Sequence, residues 1–400
     1  MTNTYLPRPI NSTQMRSVNR SAVLDLFRRS SPIARSKIAR ILGLSQPTVM
    51  RIVDELVEKG MVRYTGESEG GLGRRRDLLE YYKDGHAVIG IDLGGTNMFG
   101  ALANIGGEIL HEITVDNHAT IGDDNYRLLL EMIKELVNTP RREAQTLRGI
   151  AVGAPGVTES RTGIVRWAPS LNWRDFSLKA FLENEFHLPV IVENDVNLAA
   201  LGEHWFGAGQ GTQNMVLLAI GTGLGSGIIM DGVLLRGHNE SAGEVGYLLS
   251  TREDLNHSYN QFGAMESIIS GTGIANRARA LLQGKFPSDQ LSKLTSENVF
   301  DAARQNIDWA KRLIDETVDN LSLTILNLST IIDPELIVIG GGVAKSADLL
   351  IPAVQERIAG VLPITPKVVV SQLGRRGAVM GGIAQIVLAT SDYYIVRKVS

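Results

Sequence analysis

The sequence predicts an α/β protein that combines a small helical head with a larger body built from a duplicated α/β unit. Three observations support this fold class. Apolar residues recur at helical spacing in three short blocks between residues 15 and 60. A plan of strand, glycine-rich turn, strand, tight turn and strand occurs twice, at residues 87–115 and 215–235. With 400 residues, the chain is also too long for a single compact core.

Composition and charge indicate a folded protein with two unlike parts. Apolar residues make up 44% and charged residues 21% of the chain. There is no cysteine, which excludes disulfides, thiolate nucleophiles and cysteine-ligated zinc. Residues 1–85 contain 15 lysine and arginine residues against nine acidic residues, whereas residues 86–400 contain 25 against 34. A basic head on an acidic body favours a nucleic-acid-binding module joined to a different domain.

The sequence also predicts the cellular location of the protein. No apolar run reaches the roughly 20 residues of a membrane-spanning helix. The first residues, MTNTYLPRPINSTQ, lack the charged and apolar regions of a signal peptide. We therefore expect a cytoplasmic protein with no membrane partner.

Three helices are predicted in the head. The second ends at Gly43, which suits a left-handed cap, and the third follows Ser45, a favourable N-cap that tolerates Pro47 in the first turn. The short connection between them predicts a helix-turn-helix. The faces expected to be buried in the first, second and third helices are Met15, Val18, Ala22 and Leu26; Ile38, Ala39 and Leu42; and Val49, Ile52, Val53, Leu56 and Val57.

A hairpin follows the third helix and completes a winged helix-turn-helix. The strands are predicted at Met61–Tyr64 and Leu78–Tyr82, on either side of a glycine-rich turn. The start of the third helix would then face the major groove of DNA, and the arginines of the wing would reach the minor groove or the phosphates. The alternative is a protein-interaction module whose arginines are merely solvated. The candidate DNA-binding residues are Gln46, Thr48 and Arg51 in the helix and Arg74, Arg75 and Arg76 in the wing.

Glycine-rich turns mark both repeats of the body. The strand Ala87–Asp92 runs into Leu93-Gly94-Gly95-Thr96, and the strand Met215–Ile220 runs into GTGLGSG. Strands follow both turns, whereas the phosphate loop of a Rossmann fold would lead into a helix. Glycines in two facing loops let backbone N–H groups approach a polyphosphate closely. A third glycine cluster, 340–342, follows a buried strand and precedes a helical stretch at 346–359.

These motifs resemble the ROK family, named for repressors, open reading frames and kinases, and the head resembles its repressor branch. The resemblance implies a body with the duplicated actin-like, ribonuclease H-like sugar-kinase fold, in which a sugar is held between two lobes. It also implies three domains, at 1–85, 86–205 and 206–400. The matching motifs are GIDLGGT at 90–96, AVGAPG at 151–156, ENDVNLAALGE at 193–203, AIGTGLGSGII at 219–229, SAGEVGY at 241–247 and IDPELIVIGGG at 332–342.

The resemblance assigns roles to individual residues. Asp195 matches the general base that takes the proton from a sugar hydroxyl, although Asn194 and Asp195 would also suit a plain helix cap. Carboxylate and amide groups suit paired hydrogen bonds to vicinal hydroxyls. The implied sugar-binding residues are Asn194, Asp195, Glu244, Tyr247 and Glu266. The implied phosphate-binding residues are Asp92, Gly94, Gly95, Thr96, Thr222, Gly223, Gly225 and Gly341.

The resemblance breaks at the zinc site that the family usually carries. Tyr247 stands at the position of a histidine, and the stretch before Glu266 has no cysteine, so we expect no zinc. His238 and His257 are interpreted as surface residues. Trp167, Trp173, Trp205 and Phe206 are interpreted as packing residues rather than platforms for a sugar.

Two functions are compatible with this sequence. The first is a sugar-responsive transcriptional regulator of carbohydrate-metabolism genes, expected to be a repressor that binds operator DNA as a homodimer or tetramer and responds to a monosaccharide. The alternative is an ATP-dependent sugar kinase that uses ATP and magnesium and carries an appended head. Retention of DLGGT and Asp195 favours the kinase, whereas loss of the zinc site and Asn97, where many family kinases have lysine, favours the regulator.

Overall fold

The computed structural model describes residues 12–69, 76–95, 97–117, 123–142, 145–259 and 262–390. The head contains α1 (Ser12–Ser30), β1 (Ile33–Ala34), α2 (Arg35–Leu42), α3 (Gln46–Glu58), β2 (Val62–Glu69) and β3 (Arg76–Tyr81). The first half of the body contains β4 (His86–Leu93), β5 (Asn97–Asn104), β6 (Ile109–Asp116), α4 (Asp123–Asn138), β7 (Thr146–Ala154), β8 (Val157–Glu159), β9 (Ile164–Ala168), β10 (Trp173–Phe176), α5 (Leu178–Phe186), β11 (Val190–Asn194) and α6 (Asp195–Phe206). The second half contains β12 (Met215–Ile220), β13 (Leu224–Met230), β14 (Val233–Leu234), α7 (Glu266–Ile269), α8 (Gly271–Leu282), α9 (Ser288–Ser292), α10 (Ser296–Arg304), α11 (Asp308–Ile332), β15 (Leu336–Gly340), α12 (Ala347–Ile358), β16 (Lys367–Val370) and α13 (Gly377–Thr390).

The predicted helix-turn-helix is confirmed in detail. Gly43 has a left-handed φ of 64° and donates its N–H to the carbonyl of Ala39 at the end of α2. Ser45 caps α3, because its Oγ accepts a hydrogen bond from the backbone N–H of Thr48 at 3.3 Å. The wing has one strand more than the sequence predicted, since β1 pairs with β3 and places Ile33 opposite Leu79.

The buried face predicted for α1 is wrong. Met15 is 48% exposed, and the other three residues of the predicted face are only partly buried. The helix is instead rotated so that its largest apolar side chain, Phe27, is fully buried. Among the residues of α1 whose side chains are described, the buried ones are Ser17, Arg20, Ser21, Val23, Leu24 and Phe27.

The duplication of the body is confirmed by the order of strands in its two large sheets. The first sheet has the order β11-β7-β4-β5-β6 and the second has the corresponding order β16-β15-β12-β13-β14. In the first sheet, β11, β7 and β4 are parallel, and β5 and β6 each pair antiparallel with the strand before them. In the second sheet, β16, β15 and β12 are parallel, and β13 and β14 each pair antiparallel with the strand before them. The carboxyl ends of the parallel strands are where ligands bind in such sheets.

Helices α6 and α13 pack against each other with almost no side chain between them. A Cβ on Gly381 would lie 1.7 Å from the carbonyl oxygen of Leu198, and a Cβ on Gly202 would lie 2.2 Å from that of Gly377. Only glycine permits this approach of two helix backbones. Although α13 is the last described helix, it packs on β4 and β7 of the first sheet. The domain boundaries at residues 85 and 205 stay predictions.

The head packs directly on the body. Buried residues of α1, α2 and α3 form one apolar cluster with residues of the first sheet and α13, including Phe27, Val88 and Ile383. Polar contacts reinforce it, because Tyr81 Oη donates to the carbonyl of Ile105 at 3.2 Å and His86 Nε2 donates to that of Lys59 at 2.7 Å. Among the described helices, none has the length and apolar character needed to cross a membrane.

Candidate functional site

The first part of the candidate site lies where β4 and β11 end on either side of β7. Asp92 and Glu193 are both register partners of Gly153, so the ends of the two strands lie close together. Gly153 also leaves room for the start of α6, since a Cβ there would lie 3.1 Å from Cα of Asp195. The topology therefore places Asp195, at the start of α6, near Asp92, at the end of β4.

Both of these carboxyl groups have a raised pKa. Burial and the nearby charge of Asp195 raise the pKa of Asp92 to about 7. Burial raises the pKa of Asp195 to about 6, against the hydrogen bond that its Oδ1 accepts from the N–H of Val196 at 2.9 Å. A pKa near neutrality suits a group that accepts a proton from a hydroxyl. Two crowded carboxylates also suit a nearby cation.

Asn194 has a structural role whether or not it contacts a sugar. Its Oδ1 caps α6 by accepting a hydrogen bond from the N–H of Asn197 at 3.0 Å. Its Nδ2 donates to the carbonyl of Gly156 at 3.0 Å. The cap that the sequence offered as the alternative is thus present. It fixes the side chain beside Asp195, and one amide hydrogen and one oxygen lone pair are left for further bonds.

The second half of the body contributes two more carboxylates. Limited hydration and the charge of Glu266 raise the pKa of Glu244, and limited hydration also raises that of Glu266. Tyr247 is 43% exposed, and its pKa is raised by limited hydration and by the charges of both glutamates. Its phenol therefore lies in the field of Glu244 and Glu266 and is available as a hydrogen-bond donor.

Glu266 connects this region to the second glycine-rich turn. Its Oε1 accepts a hydrogen bond from the N–H of Leu224 at 3.0 Å, and its Oε2 accepts one from that of Gly263 at 3.1 Å. A Cβ on Gly223 would lie only 2.3 Å from Oε1 of Glu266. Any side chain at position 223 would displace this carboxylate, so the turn and the carboxylate depend on each other.

The remaining candidate phosphate-binding residues lie in tightly packed turns. Gly341 has a φ of 81°, and a Cβ there would lie 2.4 Å from the carbonyl oxygen of Ile220, so the third glycine cluster touches the second turn. A Cβ on Gly95 would lie 2.8 Å from Cβ of Ser170. Thr96 lies outside the described residues. The other members of the set lie in or beside the turns at the ends of β4 and β12, and they are Gly94, Thr222 and Gly225.

An ion pair between a buried glutamate and a partly exposed arginine joins the two halves, and sequence reasoning missed it. Glu193 is 1% exposed, and its Oε2 accepts a hydrogen bond from Arg236 Nε at 2.7 Å. Its Oε1 accepts from the N–H of Asn194 at 3.0 Å and from Asn197 Nδ2 at 3.2 Å. The available signal was a charged residue in the buried strand VIVEN, because a buried carboxylate requires a partner.

The loop that precedes Glu266 is ordered by hydrogen bonds to one carboxylate. Oδ2 of Asp254 accepts from the N–H groups of Thr251 and Ser250 at 2.8 Å, and Oδ1 accepts from Tyr259 Oη at 2.8 Å. These bonds, led by that from Thr251, hold the pKa of Asp254 well below its usual range. Among the described residues there is no group of three or more histidine, cysteine or acidic side chains arranged to hold a metal ion.

The histidine and aromatic residues singled out in the sequence differ in how exposed they are. His238 and His257 are exposed, which confirms that they are surface residues. Trp173 is buried, and Trp205 and Phe206 pack partly buried against the cluster shared by the head and the body. The packing interpretation of Trp167 is wrong, since this residue is 41% exposed on β9, where Arg174 lies over its ring at 5.5 Å.

The candidate DNA-facing surface is the start of α3 and the wing. Gln46 and Arg51 are exposed on α3, and Arg76 is exposed at the start of β3. Thr48 is less available, because its hydroxyl is hydrogen-bonded to that of Ser45 at 2.8 Å. Arg74 and Arg75 lie outside the described residues.

Known proteins are similar to this chain in both the head and the body. The model of the ROK family matches residues 88–389, and that of the MarR family matches residues 17–71. The xylose repressor of Caldicellulosiruptor bescii is 31% identical over 389 residues, covering 94% of this chain and 97% of that protein. A glucokinase of Halalkalibacterium halodurans is 35% identical over 308 residues, covering 74% of this chain and 93% of that protein.

A solved structure matches the head and the body together. It is a ROK family transcriptional regulator described as a homolog of the E. coli MLC protein, with a TM-score of 0.81 and 27% identity, and the match covers 94% of this chain and 97% of that one. The family match extends over most of the body, and the arrangement of its two sheets agrees with it. This chain belongs to the ROK family.

Proposed function

We propose that this protein is a transcriptional repressor of carbohydrate-metabolism genes and that a monosaccharide bound in the body changes its affinity for operator DNA. The observation that carries the proposal is the direct packing of a winged helix-turn-helix head on a body that keeps the sugar-site motifs. The similarity to a xylose repressor over 97% of that protein's length supports the same combination of parts.

The polar groups of the candidate sugar site suit a monosaccharide. Asn194, Asp195, Glu244 and Glu266 offer amide and carboxylate groups, and Tyr247 offers a phenol, so neighbouring hydroxyls of a sugar could each be paired. A site built on such pairs rejects ligands that lack the hydroxyls, because its own polar groups would be left without partners. D-xylose is the first sugar to test, since relatives that cover nearly the whole chain are named for it.

The DNA-facing residues suit a dimeric repressor. Gln46 and Arg51 would contact base edges in the major groove, and Arg76, with Arg74 and Arg75, would contact the phosphates or the minor groove. A homodimer would place two heads on half-sites about one DNA turn, or a multiple, apart. A tetramer would allow two such pairs.

A sugar kinase is the second candidate, and the retained pair Asp92 and Asp195 favours it. The residues fit ATP and magnesium, because glycines in the turns at 94–95 and 221–223 would let phosphates approach the backbone closely and two carboxylates of raised pKa suit a cation. Bound ATP would supply the phosphoryl group. Asp195, whose pKa of about 6 leaves it mostly ionised at pH 7, would take the proton of the sugar hydroxyl at its carboxylate.

One experiment separates the two candidates. A DNA duplex selected by the purified protein from a randomised library is titrated with protein, by fluorescence anisotropy, without sugar and with D-xylose or D-glucose. Release or tightening by a sugar alone is expected for the repressor. A protein that forms ADP from ATP in the presence of sugar at ordinary kinase rates, and that ignores sugar when it binds DNA, would establish the kinase instead.

A further inference from the structure

The two ends of α6 lie in different functional regions. Asn194 and Asp195 stand at its N-terminal end in the candidate sugar site, and Trp205 stands near its C-terminal end against the head. About ten residues separate Asp195 from Trp205, which corresponds to roughly 15 Å along a helix. One straight element therefore spans the distance between the proposed sugar and the DNA-binding head.

The contact at the C-terminal end of α6 is specific. The guanidinium carbon of Arg28, on α1 of the head, lies 3.6 Å from the centroid of the Trp205 ring. Arg28 is held in place by Asp25 of the same helix, at 3.3 Å. A cation stacked on tryptophan at this distance is an attractive contact of defined geometry, and it is sensitive to movement of either partner.

The next side chain of α6 lies near the same part of the head. Burial lowers the pKa of His204, and the positive charges of Arg28 and Arg29 lower it further, so both arginines are close. The end of α1 thus faces consecutive residues of α6.

Close packing and hydrogen bonds fix α6 to its neighbours along its length, so a displacement of one end of the helix would also move the other end. The backbone contacts of Gly202 and Gly381 bind it to α13 without flexible side chains between them. Glu203, which is 1% exposed, ties the helix to the segment after β16, because its carboxylate accepts hydrogen bonds from Ser371 Oγ at 2.5 Å and from the N–H of Leu373 at 2.9 Å. Packed helices of this kind shift as units rather than bend.

We infer that α6 transmits sugar binding to the DNA-binding head and that the stacking of Arg28 on Trp205 is the contact through which the head responds. The inference rests on the proposed repressor function. A sugar that hydrogen-bonds Asn194 and Asp195 shifts the N-terminal end of α6, the joined pair α6 and α13 moves with it, and the orientation of α1 changes. Such coupling is reciprocal, so operator DNA changes the sugar affinity by the same factor.

The structure offers a matched pair of variants. Arg28→Gln removes the cation over Trp205. Arg29→Gln removes the same charge from the next residue, whose side chain is 54% exposed, pairs with Asp25 at 2.8 Å and lies near His204. Trp205→Phe is a second test from the body side. It keeps an aromatic ring in the apolar cluster and weakens the cation contact.

The measurement is the ratio of operator dissociation constants with and without sugar, for the full-length protein and the selected duplex, with D-xylose and D-glucose as probes. Coupled sites typically change affinity by about 5- to 150-fold. We expect Arg28→Gln and Trp205→Phe to lower the wild-type ratio at least threefold, while the sugar dissociation constant without DNA stays within about twofold. Arg29→Gln should keep the wild-type ratio.

Two results would overturn the inference. An unchanged, wild-type ratio in both Arg28→Gln and Trp205→Phe would mean that the signal reaches the head elsewhere, for example through the contact of His86 with Lys59.

Hydrogen exchange supplies an independent readout without DNA, since sugar should change the protection of the backbone amides of residues 20–30 in the wild type and not in Arg28→Gln. Unchanged protection in a sugar-bound wild type also contradicts the inference. A wild-type protein that binds neither sugar contradicts the repressor proposal itself and removes the basis of the inference.

Discussion

Arg236, in the second half of the body, reaches Glu193 in the first half through an ion pair of 2.7 Å. The carboxylate of Glu193 also holds the backbone of Asn194, at the start of the sugar-site segment. The carbonyl of Arg236 accepts a hydrogen bond at 3.0 Å from the N–H of Ala242, two residues before Glu244. A single arginine therefore supports the segments that carry candidate sugar-binding residues in both halves.

Replacing Arg236 by glutamine is expected to destabilise the protein by about 3–5 kcal/mol, because it leaves the buried charge of Glu193 without its partner. Urea unfolding measures the effect. Arg304→Gln is the control, since it breaks an exposed pair with Asp348 and should cost about 1 kcal/mol or less. The double variant Glu193→Gln with Arg236→Gln should regain part of the loss, and equal losses in Arg236→Gln and Arg304→Gln would argue against a special role for the pair.

The substitution Asp195→Asn is expected to stabilise the sugar-free protein at pH 8 by about 1–3 kcal/mol. Burial raises the pKa of Asp195 to about 6, above its value of about 3.9 in an unfolded chain, so the folded state bears an unfavourable charge above pH 6. As the pH falls from about 6 to 4, the folded protein takes up the proton first and this penalty disappears. The gain should therefore vanish at pH 4 in thermal melts. Glu131→Gln, on the exposed side of α4, should have no comparable effect, and a loss of stability in Asp195→Asn at pH 8 would contradict the assignment.

Acid is expected to loosen the packing of α1 on α3. Burial raises the pKa of Glu55, but ion pairs with Arg20, Arg16 and Lys59 outweigh it and lower the pKa to about 2. A lowered pKa contributes stability above about pH 4, and that contribution is lost as the pH falls towards 2. Glu55→Gln should be less stable than the wild type at pH 7, with the difference shrinking below pH 4. The exposed neighbour Glu58→Gln serves as control, and a difference independent of pH would refute the ion-pair explanation.

Substitutions in α3 and in the wing, the two parts of the candidate DNA-facing surface, should affect DNA binding differently. Arg51→Ala is expected to relax the base preference at one position of the selected duplex, at a cost of about 1–3 kcal/mol in discrimination. Arg76→Ala should weaken binding to all sequences and lower the slope of log affinity against log salt by about one. Titrations at several salt concentrations with matched and altered duplexes distinguish the two patterns. Unchanged operator binding in both variants would show that DNA docks elsewhere.

Local signals allowed the sequence to predict much of the head and both sheets. Gly43 and Ser45 act through their own backbone and side chain, so the turn between α2 and α3 could be derived from a few residues. The glycine-rich turns likewise follow strands whose apolar runs are evident in the sequence. The strand β1 was missed because two residues, Ile33 and Ala34, give no pattern, and their pairing with β3 is a tertiary contact.

The sequence predicted which residues belong to the candidate site, but not the hydrogen bonds and ion pairs that join them. Resemblance supplied Asp92, Asp195 and Glu266, yet nothing local indicates that Glu266 holds the N–H of Leu224, 42 residues earlier in the chain. The pair of Glu193 and Arg236 was missed for the same reason. The rotation of α1 was predicted wrongly because the helix is apolar on more than one side, and only packing decides which side is buried.

The most direct test of the proposed function is the affinity of the full-length protein for its selected DNA duplex, measured by anisotropy at fixed salt without sugar and with saturating D-xylose or D-glucose. We expect one of these sugars, without any nucleotide, to change the dissociation constant by about fivefold or more. A sugar that binds, as a thermal shift shows, but leaves the dissociation constant for DNA unchanged would contradict the proposed function.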